Sequence, residues 1–309
     1  MSYEGKMFIE LGMPSRKAVA DALLKSLFKH SGTLKEFAVG EAIVEEIADD
    51  FHLNTQQRSA YLETVYRQEN RVKRSRLWHR LLFRAADALA KERLVSRPTQ
   101  TALLTHAREW MLTEDGYDRA LRLLNIPISQ KDTLRIKSYE VQKIVKKLGE
   151  QPRPHNYNPF ETGKKVARVT KDIKLRNRGF RQAIIEAYDY KCAVCGMKIS
   201  SPDGARWEVE AAHIVPHNLN GRDDFLNGLA LCRLHHWAFD VGWFTLEDNY
   251  CVLPSKRIET STAGIEKIEG HEFFRNLVSR VGAVSLPKNT EIHPHQVSIR
   301  WHRDHVYAK

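Results

Sequence analysis

Cysteine is scarce in this chain of 309 residues: only Cys192, Cys195, Cys232 and Cys251 occur, none of them in the first 191 positions. So few, gathered at one end and including a C-x-x-C pair, argue against a secreted disulfide framework and for a metal. Long apolar runs are missing too, which leaves nothing of membrane-spanning length and no membrane partner to expect. The opening MSYEGKMFIE carries acidic residues and lacks the basic start, apolar middle and cleavage site of a secretory signal, so a cytoplasmic location is the expectation. With 42% hydrophobic and 28% charged residues the composition is that of a globular protein, and the length suits two compact units rather than one.

What the chain has in excess is positive charge. The net value is +11, and residues 131–181 hold most of it, with 15 Lys/Arg against 5 Asp/Glu. A concentration of this kind attracts polyanions, and release of counterions from phosphates makes such binding salt-dependent.

Apolar residues at three-to-four spacing predict helices over residues 14 to about 95. Pro14-Ser15 opens the first, Val19, Leu23, Leu24, Leu27 and Phe28 form its stripe, and Ser31-Gly32 stops it. A second runs through Val39, Ile43, Val44 and Ile47. A basic third segment holds Tyr66, Arg67, Asn70, Arg71, Arg74, Arg76, Arg80 and Arg84 and continues as helix through Leu81 to Leu89. Arg71, Arg74 and Arg76 are its candidate DNA contacts. Leu94–Pro98 and Trp110–Thr113 suit a short pair of strands, although Ala102–Arg108 is equally compatible with helix. Helices followed by a small hairpin suggest a winged helix. In Pro14-Ser15, the helix before Phe51-His52-Leu53, Asn70-Arg71-Val72 and Leu112-Thr113-Glu114-Asp115-Gly116, this third of the chain resembles the N-terminal domain of Mrr-type restriction proteins.

Leu121–Leu148 reads as further helix, and QPRPHNYNPF (151–160) as an extended linker. The expected organisation is a winged-helix-like DNA-binding domain over 1–118, a helical and basic linker over 119–170, and a second domain over 171–309.

That second domain carries the chemistry. Cys192-Ala-Val-Cys195-Gly196 presents two thiolates on a tight turn, and Cys232-Arg-Leu-His235 supplies a second pair at the same gap. Cys192, Cys195, Cys232 and His235 together make a closed four-ligand site, which for zinc is structural because no position stays open for water. Cys251 reads as a core thiol, with replacement of His235 as its alternative role. Between the pairs lie Glu210-Ala211-Ala212-His213-Ile214-Val215-Pro216, a polar turn, and Asn227-Gly228-Leu229. A strand delivers His213 to a loop, and a helix then carries His235 and His236. Neighbours on a helix point about 100° apart, so the two histidines can serve different ions.

The run A-A-H-I-V-P, then N-G-L, then C-R-L-H-H-W-A-F-D resembles the HNH endonuclease family. The resemblance implies two strands and a helix around one catalytic divalent ion, giving an α+β chain: a mainly helical winged-helix domain followed by a ββα-metal nuclease domain. It also implies roles: His213 as the general base, Asn227 as the residue that holds the loop, His236 as a metal ligand. Phosphodiester hydrolysis requires such a set, since neutral imidazole accepts a proton near physiological pH and Mg²⁺ or Mn²⁺ offsets developing charge. Ala212 stands where many family members place an Asp or His ligand. The candidates to replace it are Asp240, one helical turn beyond His236 and favoured for that reason, and Glu210. Arg222 and Arg233 are candidate phosphate contacts, with solvated surface charge as the plainer reading. His217 reads as an exposed turn residue, with contact to DNA as its other role. Ile292–Tyr307 resembles the closing segment after some HNH domains and is expected to pack on the nuclease without catalytic duty.

The combined expectation is a DNA endonuclease of restriction or defence type acting on double-stranded DNA, modified DNA included, with a homodimer as one way to cut both strands. The alternatives are a DNA-binding regulator or structural zinc module, suggested by Ala212, and a nuclease for RNA or single strands.

Overall fold

The computed structural model describes residues 3–37, 41–66, 71–161, 170–257 and 282–308. The chain divides into two compact units, Met1–Gln142 and Lys143–Lys309, and mixes helices with small antiparallel sheets, an α+β architecture. Among the described residues no helix is long and apolar enough to cross a membrane.

The first unit holds α1 (Tyr3–Glu10), α2 (Arg16–Lys29), α3 (Ala42–Asp50), α4 (Thr55–Ser59), α5 (Leu77–Lys91), α6 (Pro98–Thr105) and α7 (Glu114–Leu123) together with a three-stranded sheet. That sheet joins β1 (Thr33–Lys35), β5 (Glu109–Leu112) and β4 (Val95–Ser96) in the order β1-β5-β4. Ser15 caps α2 by accepting from the Ala18 amide at 3.1 Å, and the expected stripe of Val19, Leu23, Leu24 and Leu27 is buried. The strand pair expected around 94–113 is β4 with β5, and the stretch between them is helical, as its second reading had it.

The basic segment before α5 departs from the helix expected there. Residues Tyr61–Tyr66 (β2) and Arg71–Arg76 (β3) pair as an antiparallel hairpin. The alternation of Tyr61, Leu62, Glu63, Thr64, Val65 and Tyr66, rich in aromatic and β-branched residues, favours a strand over the helical period. Arg67 and Asn70 lie outside the described residues. Arg74 is exposed but engaged with Glu63 at 2.6 Å, and Arg76 lies 6.0 Å from the Tyr61 ring centroid. Arg80 and Arg84, from the same basic run, converge on the buried Glu4 carboxylate.

The helix expected over 121–148 is interrupted: α7 ends at Leu123, a 3₁₀ turn covers Ile128–Thr133 after Pro127, and α8 spans Tyr139–Gly149. The proline-rich stretch 151–160 is packed rather than free. Tyr157 is buried and donates to Asp224 at 2.8 Å, Arg222 N–H donates to the Pro159 carbonyl, and Glu161 N–H to that of Asn220. Prolines cost the stretch its helix, but an aromatic ring and free backbone groups still find partners on the loop before Asn227.

The second unit centres on α9 (Thr170–Ala187), β6 (Val209–His213), β7 (Gly228–Cys232) and α10 (Arg233–Asp240), followed by a hairpin of β8 (Phe244–Leu246) with β9 (Val252–Pro254) and by α11 (Gln296–His305). Strands β6 and β7 run antiparallel, with Val209 opposite Cys232 and His213 opposite Gly228. Side chains alternate along β6. Val209, Ala211 and His213 therefore project toward α9, where the Phe180 ring stacks on His213 at 4.1 Å. Glu210 and Ala212 project toward α10, where Glu210 meets His236. Gly228 permits the close approach of α9, since a Cβ there would stand 2.3 Å from Ile184 Cδ1 and 3.1 Å from Phe180 Cε2. The closing segment packs back as expected: His302 of α11 is buried, stacks on Phe239 at 3.6 Å and bonds the Thr245 hydroxyl at 2.9 Å.

Candidate metal centre and active-site cleft

The two cysteine pairs converge. Ligand atoms of Cys192, Cys195, Cys232 and His235 all lie within 4.8 Å of one another. Cys232 Sγ is 3.0 Å and Cys192 Sγ 3.7 Å from His235 Nδ1, and the Cys195 and Cys232 sulfurs are 4.0 Å apart. Four such ligands on one tetrahedral ion stand roughly 3.3–3.8 Å apart, so the set fits zinc in spacing and in chemistry. A knuckle makes this possible. Cys192 N–H donates to the Met197 carbonyl, Gly196 N–H to that of Cys192, and Gly196 takes a φ of +73° that suits glycine. The hydrogen bonds among the three thiols lower Cys192 and raise Cys195 and Cys232, so without an ion they favour one thiolate held between two thiols. Cys251 lies elsewhere, in an isolated bridge with Ala283, so His235 rather than Cys251 completes the set.

His235 and His236 diverge as successive helical residues do. His235 is fully buried among the thiols. His236 faces a cleft of about 340 Å³ whose lining includes His213, His217, Asp240 and His302. Glu210 Oε2 is 3.1 Å from His236 Nδ1, and Asp240 Oδ2 is 3.5 Å from His236 Nε2, so the two candidate carboxylates approach opposite nitrogens of one ring. Burial works against the imidazolium, but the Glu210 bond and the Asp240 charge lift His236 above its ordinary value. Burial raises Asp240, Glu210 adds to that rise, and His236 and His213 oppose it. Glu210 itself is held low, first by its bond to His236. Ala212 is fully buried. Glu210, two positions away on the same side of β6, carries a carboxylate that meets His236.

Asn227 is 0% exposed. Its Oδ1 accepts from Val215 N–H at 2.8 Å, and its Nδ2 donates to the carbonyls of Val215 and Arg222, each at 3.0 Å. These bonds tie the two ends of the loop between β6 and β7. The candidate phosphate contacts are less free than their sequence suggests, because Arg222 pairs with Asp224 at 3.3 Å and Arg233 with Glu210 at 3.3 Å. His217 is exposed at the cleft, its ring centroid 5.7 Å from that of His213. Missing from the sequence reading was Asp223, whose buried Oδ1 lies 3.0 Å from His213 Nε2 while its Oδ2 meets Arg176 Nε at 3.1 Å. As one acidic residue in a polar turn it gave no periodic or motif signal.

With this geometry in view, residues 192–247 match the family model described as HNH endonuclease. This segment is an HNH endonuclease domain. The match takes in both cysteine pairs, His213, Asn227, His236 and Asp240, and ends inside the hairpin that follows α10. No curated protein matches the chain. One similar solved structure is a modification-dependent TagI restriction endonuclease, with 22% identity over 41% of this chain and 37% of that one, and a TM-score of 0.27. The chain thus spans well under half the length of that protein, and a likeness of this size bears on neither fold nor substrate.

Proposed function

We propose that this chain is a metal-dependent DNA endonuclease of restriction or defence type, with His213 as the general base. The observation that carries the reading is the meeting of His213, His236 and Asp240 in one cleft of an HNH domain. Asp240 and His236 are the proposed holders of the catalytic ion. The bond from Nδ1 to Glu210 leaves Nε2, the nitrogen beside Asp240, to serve as ligand, with Glu210 orienting the ring. A divalent ion such as Mg²⁺ or Mn²⁺ would supply charge stabilisation for the scissile phosphate when bound, the Asp240 carboxylate suiting either ion and the histidine ligand widening tolerance to softer ones. Zinc at Cys192, Cys195, Cys232 and His235 braces the fold.

In the proposed reaction His213 takes a proton from water as the water oxygen bonds to phosphorus, the phosphorus bond to the departing sugar oxygen breaks, and that oxygen gains a proton from solvent. Asn227 holds the loop that follows His213. The first unit, proposed as a winged helix on its β1-β5-β4 sheet and flanking helices, would hold double-stranded DNA, with Arg71, Arg74 and Arg76 on its hairpin as contacts. Because Arg74 is engaged with Glu63, its contact with phosphate would require exchanging one partner for another. The protein would work in the cytoplasm and reach both strands as a homodimer or by successive nicks.

The test is supercoiled plasmid, methylated and unmethylated, with Mg²⁺ or Mn²⁺ at low salt, beside His213→Ala. Metal-dependent nicking by wild type and none by the variant is the expected result. A second reading, a DNA-binding regulator with a weak site, draws on one observation: among the described residues only the Cys₃His set brings three or more metal-ligating side chains within 4.8 Å. Tight DNA binding with every substrate intact at one zinc per chain would favour it.

A further inference from the structure

We infer that Asp223 is a positioning residue for His213: it fixes the ring as the Nε2–H tautomer, so that Nδ1 is the atom that accepts the proton. The inference rests on the nuclease reading for its consequence, but its geometry stands apart from it.

The Asp223 side chain is only 4% exposed, and its Oδ1 lies 3.0 Å from His213 Nε2. A carboxylate accepts hydrogen bonds and donates none, so the proton in that contact belongs to the ring. Burial opposes the charge on Asp223, yet the bond with His213 and the Arg176 guanidinium hold its carboxyl below the ordinary range. Arg176 Nε occupies Oδ2 at 3.1 Å, while its Nη2 is anchored to Glu161 at 2.6 Å. The carboxylate is thereby aimed, with one oxygen braced and the other left for the histidine. Phe180 closes a face of the ring at 4.1 Å with an interplanar angle of 21°, which hinders a flip that would exchange the two nitrogens. His213 still reaches the cleft, its side chain 21% exposed, and among the described residues no hydrogen bond occupies its Nδ1.

The chemical consequence follows from how a buried carboxylate serves a histidine base. It holds the imidazole in the useful tautomer and stabilises the imidazolium that forms when the base takes its proton. The same carboxylate ties the loop between β6 and β7 to His213, whereas Asn227 ties that loop to itself through Val215 and Arg222.

The experiment uses the full chain with ¹⁵N-labelled histidine, the His213 signals being assigned by comparison with His213→Ala. Long-range ¹H–¹⁵N spectra of the neutral ring report which nitrogen carries the proton. The expected result is Nε2–H in wild type and a mixture of tautomers in Asp223→Ala, at one zinc per chain in both. Alongside, plasmid nicking by Asp223→Ala should lose about 100-fold in kcat with KM within about twofold, and Asp223→Glu should recover part of the loss. Should Asp223→Ala fold poorly, the isosteric Asp223→Asn takes its place, with the carboxylate charge removed and the volume kept. An Nδ1–H ring in wild type, a tautomer indifferent to Asp223, or an unchanged kcat would each overturn the inference. If wild type cuts no DNA, the nuclease reading falls, and the spectra still decide the tautomer.

Discussion

The side chain of Asn227 grips the backbone of Val215 from both sides, accepting from its N–H at 2.8 Å and donating to its C=O at 3.0 Å. The contact closes the loop that follows His213, and water has no access to replace it because Asn227 is fully buried. Each polar group left without a partner there costs about 1–3 kcal/mol. Asn227→Ala is therefore expected to lower the unfolding free energy in denaturant titrations by about 2 kcal/mol or more and to abolish detectable nicking. Asn227→Asp should fare no better, since it keeps an acceptor for Val215 N–H but turns a carboxylate on the carbonyls of Val215 and Arg222.

The two carboxylates at His236 should separate by cation affinity. Calorimetric titration with Mn²⁺ is expected to show little or no binding for His236→Ala and a loss beyond about 100-fold for Asp240→Asn, against about 10-fold for Glu210→Gln, the scale typical of a residue acting through a ligand. The opposite ranking would make Glu210 the ligand and Asp240 its neighbour.

Zinc is expected at one ion per chain by elemental analysis. Cys195→Ser should release it and leave the second unit largely unfolded by circular dichroism, because the free energy of holding a structural zinc is also folding free energy. Cys251→Ser should retain both the ion and the fold.

His302 gives the second unit a dependence on acid. Its burial, set against one bond to the Phe239 carbonyl, lowers its pKa from 6.5 to about 4. The unfolded chain then binds the extra proton first, so the stability due to keeping this ring neutral is fully present above about pH 6.5 and is lost as pH falls toward 4. The integrated effect is about 3 kcal/mol. Denaturant titrations at pH 7, 5.5 and 4.5 should show the gap between wild type and His302→Asn narrowing with each step down.

The parts of the site that were legible in the sequence are those fixed by local spacing. Two-residue gaps brought Cys192 with Cys195 and Cys232 with His235, and adjacency on a helix sent His235 and His236 to different places. One helical turn likewise put Asp240 beside His236. What stayed hidden depends on distance along the chain. Asp223 meets Arg176 from 47 positions away, and Tyr157 meets Asp224 from 67. No periodicity records either pairing. The hairpin at 61–76 was obscured for another reason: its charge drew it into the basic helix that follows, and only strand propensity spoke against that.

The hairpin of β6 and β7 separates its two faces, with His213 and its companions Phe180, Asp223 and Arg176 on the α9 side and Glu210 and His236 on the α10 side. On the proposed reading, proton acceptance and cation holding would sit on separate layers of the same strand pair and meet in the cleft that His213 shares with His236 and Asp240. Such an arrangement lets either half drift, strengthen or decay without rewriting the other. On that reading, a chain that lost its cation ligands would keep the Cys₃His set and the His213–Asp223 pair in register.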